Sequence, residues 1–164
     1  MITQSELKKV LNYDPDTGLF TRISSTTNKC LIGKVAGCIN KSGYISILIK
    51  SKRYYAHRLA WLYVYGEFPK LNLDHIDTNK NNNSISNLRL CTMSENLKNT
   101  KKYSNNKSGY KGVYKHTQTG RYCVQAMILG KKISLGCYAS PELASEAYKL
   151  FSKINHGEFF NDAP

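Results

Sequence analysis

No stretch of this 164-residue chain holds the ~18–20 consecutive apolar residues that cross a bilayer. Its first residues, MITQSELKK, lack the apolar core of a secretory signal. A soluble cytoplasmic protein with no membrane partner is the expectation. Acidic side chains are scarce. There are 11 Asp and Glu against 24 Lys and Arg, a formal charge of +13, and such an excess favours a polyanionic partner, above all nucleic acid. The excess is +7 over residues 1–70 (11 basic, 4 acidic), +3 over 71–108 (6 and 3) and +3 over 109–164 (7 and 4). That spread excludes a basic tail on a neutral body. The five cysteines (Cys30, Cys38, Cys91, Cys123 and Cys137) form no CxxC pair, so no structural zinc is expected. They read as thiols in a reducing compartment. Asp14 and Asp16 have too few neighbouring carboxylates for a calcium loop and read as turn residues.

What is present is concentrated in LDHIDTNKNNNSISNLRLCTMSENLKN, residues 73–99. Leu71, Leu73 and Ile76 alternate with polar residues, as at a strand end. An Asn- and Ser-rich loop follows, and these residues favour turns by bonding their own backbone. Leu88 to Cys91 alternates again, and Thr92-Met93-Ser94-Glu95 is a capping box that opens a helix. Asn96 then falls in or just beyond that helix's first turn. Asp74 and Asn96 offer hard oxygen atoms suited to Mg²⁺ or another hard divalent ion, and a site with two protein ligands leaves room for water and a phosphate. His75 is suited to take a proton from water near neutral pH. Its second ring nitrogen needs an acceptor to fix the tautomer, and the side-chain carbonyl of Asn87 is a candidate. Asn79, Asn81, Asn82 and Asn83 read as loop builders, with contact of Asn82 or Asn83 to a DNA phosphate as the alternative.

In this order the residues resemble the HNH nucleases, the ββα-metal class, in the branch found in phages and mobile introns. The wording there is NHIDGNKxNNxxxNLxxxTxxEN-like. The resemblance implies His75 as general base, Asp74 and Asn96 as ligands of a divalent metal (Mg²⁺, with Mn²⁺ as the alternative), and Asn87 as the residue that orients His75. It also implies double-stranded DNA as the partner, a host cytoplasm if the gene is phage-borne, and a free-standing homing endonuclease. One departure is Thr78, where the family often carries Gly; it makes the turn less permissive but removes no catalytic group. Oligomeric state, monomer or weak dimer, stays open, and with it nicking or double-strand cleavage.

Before this motif, Thr3-Gln4-Ser5-Glu6 is a capping box, and Leu7, Val10 and Leu11 at helical spacing predict a helix over 4–11. A turn over 12–18 leads to a strand at 19–22. A second turn spans Gly37 to Gly43, and Ile45, Ile47 and Ile49 mark a half-buried strand. Ser51 to Arg53 reads as a turn. AHRLAWLYVYG, residues 56–66, is a helix ended by Gly66. Its His57 reads as structural, matching the HRLAW-like segment of the related phage nucleases, whose role looks architectural.

Residues 98–109, KNTKKYSNNKSG, carry four Lys and no acid. They read as a linker, either a solvated spacer or a basic strap in which Lys101 and Lys102 follow the DNA backbone. Beyond it lie three short strands (110–114, 121–128 and 133–136) and a helix opened by Pro141, with Leu143, Ala144, Ala147, Tyr148 and Phe151 as its apolar face. SGYKGVY, GRYCVQAMI, KKISLGCY and PELASEAY resemble, in order, the AP2 DNA-binding domain. That resemblance implies a sheet lying in the major groove, with Lys111, Tyr114, His116, Gln125 and Lys132 as contacts and Arg121 on a phosphate. Plant-type AP2 domains have Arg and Trp on this face where Tyr114, Met127 and Ser134 stand here, so looser sequence choice is expected. The expectation is an α+β chain: residues 1–99 a ββα-metal HNH domain, 100–108 a basic linker, and 109–164 a three-stranded antiparallel sheet on one helix. The alternatives are a DNA-binding regulator with an inactive nuclease motif, which the intact Asp74, His75, Asn87 and Asn96 oppose, and an RNA binder, which lacks the stacking aromatics of an RNP motif.

Overall fold

The computed structural model describes residues 1–24, 31–98, 106–128 and 130–156. The chain divides into two compact units, Met1–Met93 and Ser94–Pro164. The first helix, α1 (Gln4–Lys8), is capped as expected by Thr3, whose side chain accepts from Glu6 N–H while Glu6 reaches back to the Thr3 backbone. It stops short of the predicted end. Val10 lies outside it and Leu11 opens β1 (Leu11–Tyr13), which pairs antiparallel with β2 (Phe20–Arg22). Leu11 and Tyr13 point inward two residues apart, the period of a strand.

Two strands stand where turns were expected. β3 (Cys38–Ile39) pairs with β4 (Ile45–Ile49), and β4 pairs with β5 (Lys52–Tyr55). The reversal into β5 falls on Lys50 and Ser51, both at positive φ (46° and 63°), and not on Ser51 to Arg53. The helix α2 (Ala56–Tyr65) ends as predicted at Gly66, whose left-handed backbone donates to Leu62 O. Leu59, Ala60 and Leu62 from α2 join Leu7, Leu11, Phe20 and Ile47 in the core of this unit. Burying each large side chain contributes roughly 1.5–3 kcal/mol. The motif follows as β6 (Asn72–His75), a polar loop, a short 3₁₀ turn (Ile85–Asn87) and β7 (Leu88–Cys91) antiparallel to β6. The helix α3 (Met93–Lys98) begins directly after Thr92.

The second unit carries a sheet in the order β10-β9-β8, formed by β8 (Val113–Lys115), β9 (Tyr122–Ile128) and β10 (Lys131–Tyr138). The helix α4 (Pro141–His156) packs on it through Ala144 and Tyr148 against Val113, Val124 and Tyr122. Leu143, expected on the packed face, is 51% exposed; the inward stripe is Ala144, Ser145, Tyr148 and Ser152. Gly112 stands at φ +74°, and a Cβ there would overlap the Tyr148 ring.

The thiol reading needs correction: Cys123 and Cys137 form a disulfide. A bulge between Ser134 and Gly136 shifts the β9–β10 register and sets Cys137 opposite Cys123. Reduction should destabilise this unit by about 3 kcal/mol, the entropy of opening a loop of about 15 residues. Dithiothreitol is therefore expected to speed amide exchange at Val124 and Ala126 while leaving Leu59 and Leu62 protected. Residues 99–105 lie outside the described residues, and with them Lys101, Lys102 and most of the expected linker.

Candidate active site

The motif hairpin pairs Asp74 with Arg89 and His75 with Leu88. Across the strands the Arg89 guanidinium donates to Asp74 Oδ2 from Nε (3.0 Å) and Nη2 (2.8 Å). Both side chains are largely buried, 12% and 8% exposed for Arg89 and Asp74. A carboxylate drawn this far from water needs a cationic partner, because ionised oxygens are costly to bury alone. Sequence reasoning missed Arg89; the cross-strand register is the signal that identifies it.

His75 is 4% exposed at the end of β6. Its ring meets His57 edge-to-face at 5.2 Å between centroids and Tyr44 at 6.0 Å. Tyr55 stacks on His57 at 5.5 Å. Burial pulls the His75 imidazole below its usual range, and Lys80 pulls in the same direction. The bond to Asn83 and the charges of Asp77 and Asp74 oppose the shift without cancelling it. His75 is therefore held toward its neutral form near pH 7. His57 is held lower still, at about 3, by burial, then by His75 and Arg58. Its Nδ1 is buried with no hydrogen-bond partner among the described residues. The sequence placed His57 in a supporting helix; the structure places that helix's start against the proposed base.

The expected acceptor for the His75 ring was Asn87, and here the structure corrects the sequence. The Asn87 amide is committed to the loop. Nδ2 donates to Asp77 Oδ1 (2.9 Å) and Asn82 O (2.8 Å), Oδ1 accepts from Asp77 N–H (3.1 Å), and the Asn87 backbone carbonyl accepts from Ile76 N–H (2.9 Å). The ring is reached instead by Asn83, whose Oδ1 lies 3.2 Å from His75 Nε2. Asn87 thus clamps the two ends of the loop that leaves His75. Asp77 is the hub. Burial alone would raise its carboxyl, but bonds from Asn82, Asn87 and the Asn79 N–H outweigh that and hold it below the usual carboxylate range. Thr78 takes φ +61°, a conformation that suits the glycine of related sequences better than a β-branched residue.

Asn96, the second expected metal ligand, is half-buried on α3 and belongs to the second compact unit. Among the described residues no three His, Cys, Asp or Glu side chains cluster as a metal site. Asp74 in the first unit carries a buried carboxylate and Asn96 in the second an amide oxygen, each a hard donor of the type that divalent ions such as Mg²⁺ take.

A family model described as HNH endonuclease matches residues 54–98, the span from β5 to the end of α3. An uncharacterized HNH endonuclease of Acanthamoeba polyphaga mimivirus is 30% identical over 131 residues, covering 79% of this chain and 67% of the relative. The chain belongs to the HNH endonuclease family. This endonuclease is also 30% identical to a solved protein described as "DNA binding and cleavage by the HNH homing endonuclease I-HmuI", with a TM-score of 0.42 over 55% of this chain and 51% of the other. It therefore spans about half the length of that protein.

In the second unit Tyr114, Gln125 and Lys132 are exposed, and Gln125 Nε2 donates to the Tyr114 hydroxyl at 3.3 Å. Tyr114 and Gln125 lie on the sheet face opposite α4, as strand alternation predicts. The register sets Lys132 opposite Met127, on that same face. His116 and Arg121 flank the β8–β9 turn, with His116 N–H donating to Arg121 O at 2.8 Å. His116 Nδ1 lies 3.2 Å from Thr119 Oγ1. Lys111 is half-buried before β8, and burial holds its ammonium below the usual lysine range.

Proposed function

We propose that this endonuclease hydrolyses phosphodiester bonds of double-stranded DNA with His75 as general base. The observation that carries the reading is the buried His75 next to the Asp74–Arg89 pair. His75 accepts a proton from the attacking water, Asn87 holds the loop on which the ring is mounted, and the excess positive charge of the chain draws the polyanion. Asp74 and Asn96 would hold a divalent cation, Mg²⁺ or Mn²⁺, which when bound would polarise the scissile phosphate and stabilise the leaving oxygen.

The second unit is proposed as an AP2-like targeting module. Tyr114, Gln125 and Lys132 on the sheet face read base edges, with Lys111, His116 and Arg121 around them and Lys101 and Lys102 along the backbone. A basic linker at 100–108, action as a phage homing endonuclease and a cytoplasmic location complete the proposal.

Incubating supercoiled plasmid with the purified chain and Mg²⁺ is expected to give open-circular DNA, and EDTA is expected to stop it. Cleavage that survives EDTA would remove the metal from the mechanism. Linear product would show two active sites acting together. A chain ending at residue 108 should cut weakly, with lower affinity and poorer site preference. If it cuts the same site equally well, the sheet has no targeting role.

A further inference from the structure

Asn83 has no solvent exposure, so its polar atoms must be satisfied inside the protein. Its Nδ2 donates to Asn81 O at 3.2 Å, which turns Oδ1 toward His75 Nε2 at 3.2 Å. The reverse orientation would set Oδ1 against the Asn81 carbonyl, two acceptors with no proton between them. An amide oxygen accepts only, so the single N–H of a neutral His75 lies on Nε2 and the lone pair on Nδ1.

We propose that Asn83 is a positioning residue that fixes His75 as the Nε2–H tautomer, so that Nδ1 is the atom that takes the proton from the attacking water, and that the β1–β2 hairpin holds Asn83 for this task. The inference rests on the reading of His75 as general base. The water proton passes to Nδ1 and gives an imidazolium. The oxygen left behind bonds to phosphorus as the bond to the leaving oxygen breaks. That oxygen and the imidazolium then exchange protons with solvent, which restores Nδ1. Throughout, Nε2–H keeps its bond to Asn83, and that bond strengthens when the ring is charged.

The hairpin's part is visible in three contacts with the loop. The Tyr13 hydroxyl donates to Asn83 O at 2.7 Å, and Ile85 N–H donates to Pro15 O at 3.0 Å. Gly18, at φ +72°, lies so close that a Cβ there would overlap the Asn83 carbonyl carbon and the Ser84 nitrogen. The loop that carries Asn83 is thus seated on a turn more than 60 residues earlier in sequence.

The test is a long-range proton–nitrogen NMR spectrum of the full chain labelled with ¹⁵N-histidine, taken at a pH where His75 is neutral. The chain has four histidines, and the His75 signals are assigned by their loss in His75→Gln. The expected native form carries its proton on Nε2. Asn83→Ala should mix the two tautomers and lower kcat about 10–100-fold, the usual cost of losing such a supporting bond, with KM and DNA retention in a gel shift unchanged. Asn83→Asp keeps an acceptor oxygen and should restore the Nε2–H form and most of the rate. A native His75 protonated on Nδ1 overturns the proposal. So does an Asn83→Ala chain with native tautomer populations but reduced rate. Should Asn83→Ala fail to fold, the native and Asn83→Asp spectra decide. If His75→Gln still cleaves, it is the general-base reading that fails, and the tautomer spectrum reports on Asn83 separately.

Discussion

His75→Ala is expected to lower DNA cleavage by at least about 10³-fold while DNA retention in a gel shift persists. General-base catalysis supplies typically about 10²–10⁴-fold, and no other described histidine replaces the lost ring. Among the described residues His57 meets its ring edge-to-face, but it is an imidazole buried on a core helix and cannot be brought to the same place without unfolding α2. The substitution also strands the Asn83 acceptor, a cost of roughly 1–3 kcal/mol, so circular dichroism must show a folded chain before the rate is read. Loss of both cleavage and binding in a folded chain would make His75 structural. The pH profile gives an independent check. Burial first, then Lys80, keeps the imidazole below 6.5. The active species is the unprotonated ring, so kcat/KM should stay level through neutrality and fall only as the pH drops below the ordinary imidazole range. An acid limb above pH 7 would contradict the neutral, buried base.

Some of this site was legible in the sequence and some was not, for definite reasons. Asp74, His75 and the hairpin that carries them could be read because turn-forming asparagines separate two alternating runs. The helix α2 could be read because its apolar period and Gly66 agree. The end of α1 was hidden by a coincidence of spacing: Leu7, Val10 and Leu11 fit a helical stripe, yet Leu11 pairs with Arg22 in a strand. β5 was hidden because its reversal uses Lys50 and Ser51 at positive φ, where no glycine or asparagine signals it. The Cys123–Cys137 pairing depends on one bulged residue in β10; without it Gly136 would stand opposite Cys123. Four asparagines at 79, 81, 82 and 83 look alike in a sequence. Only the seating of the loop on the first hairpin distinguishes Asn83, which meets the His75 ring, from Asn82, which bonds Asp77.

That seating makes Gly18→Ala the second large effect. The new methyl group would have to occupy the space of the Asn83 and Ser84 backbone, and backbone, unlike a flexible side chain, cannot rotate aside. A left-handed alanine costs roughly 1–2 kcal/mol by itself. The overlap adds the loss of the Pro15–Ile85 and Tyr13–Asn83 bonds, each contributing about 1 kcal/mol. A total above about 3 kcal/mol is expected, seen as a fall of more than about 10 °C in the Tm of the first unit. Gly33→Ala is the control: Gly33 is also at positive φ, +82°, but has nothing within 4 Å of a Cβ, so it should show only the conformational part. The folded fraction of Gly18→Ala should also cleave more slowly, because displacing Asn83 releases the His75 ring. If Gly18→Ala proves as mild as Gly33→Ala, the first hairpin does not press on the loop, and the support proposed for the catalytic histidine has to come from elsewhere in the unit.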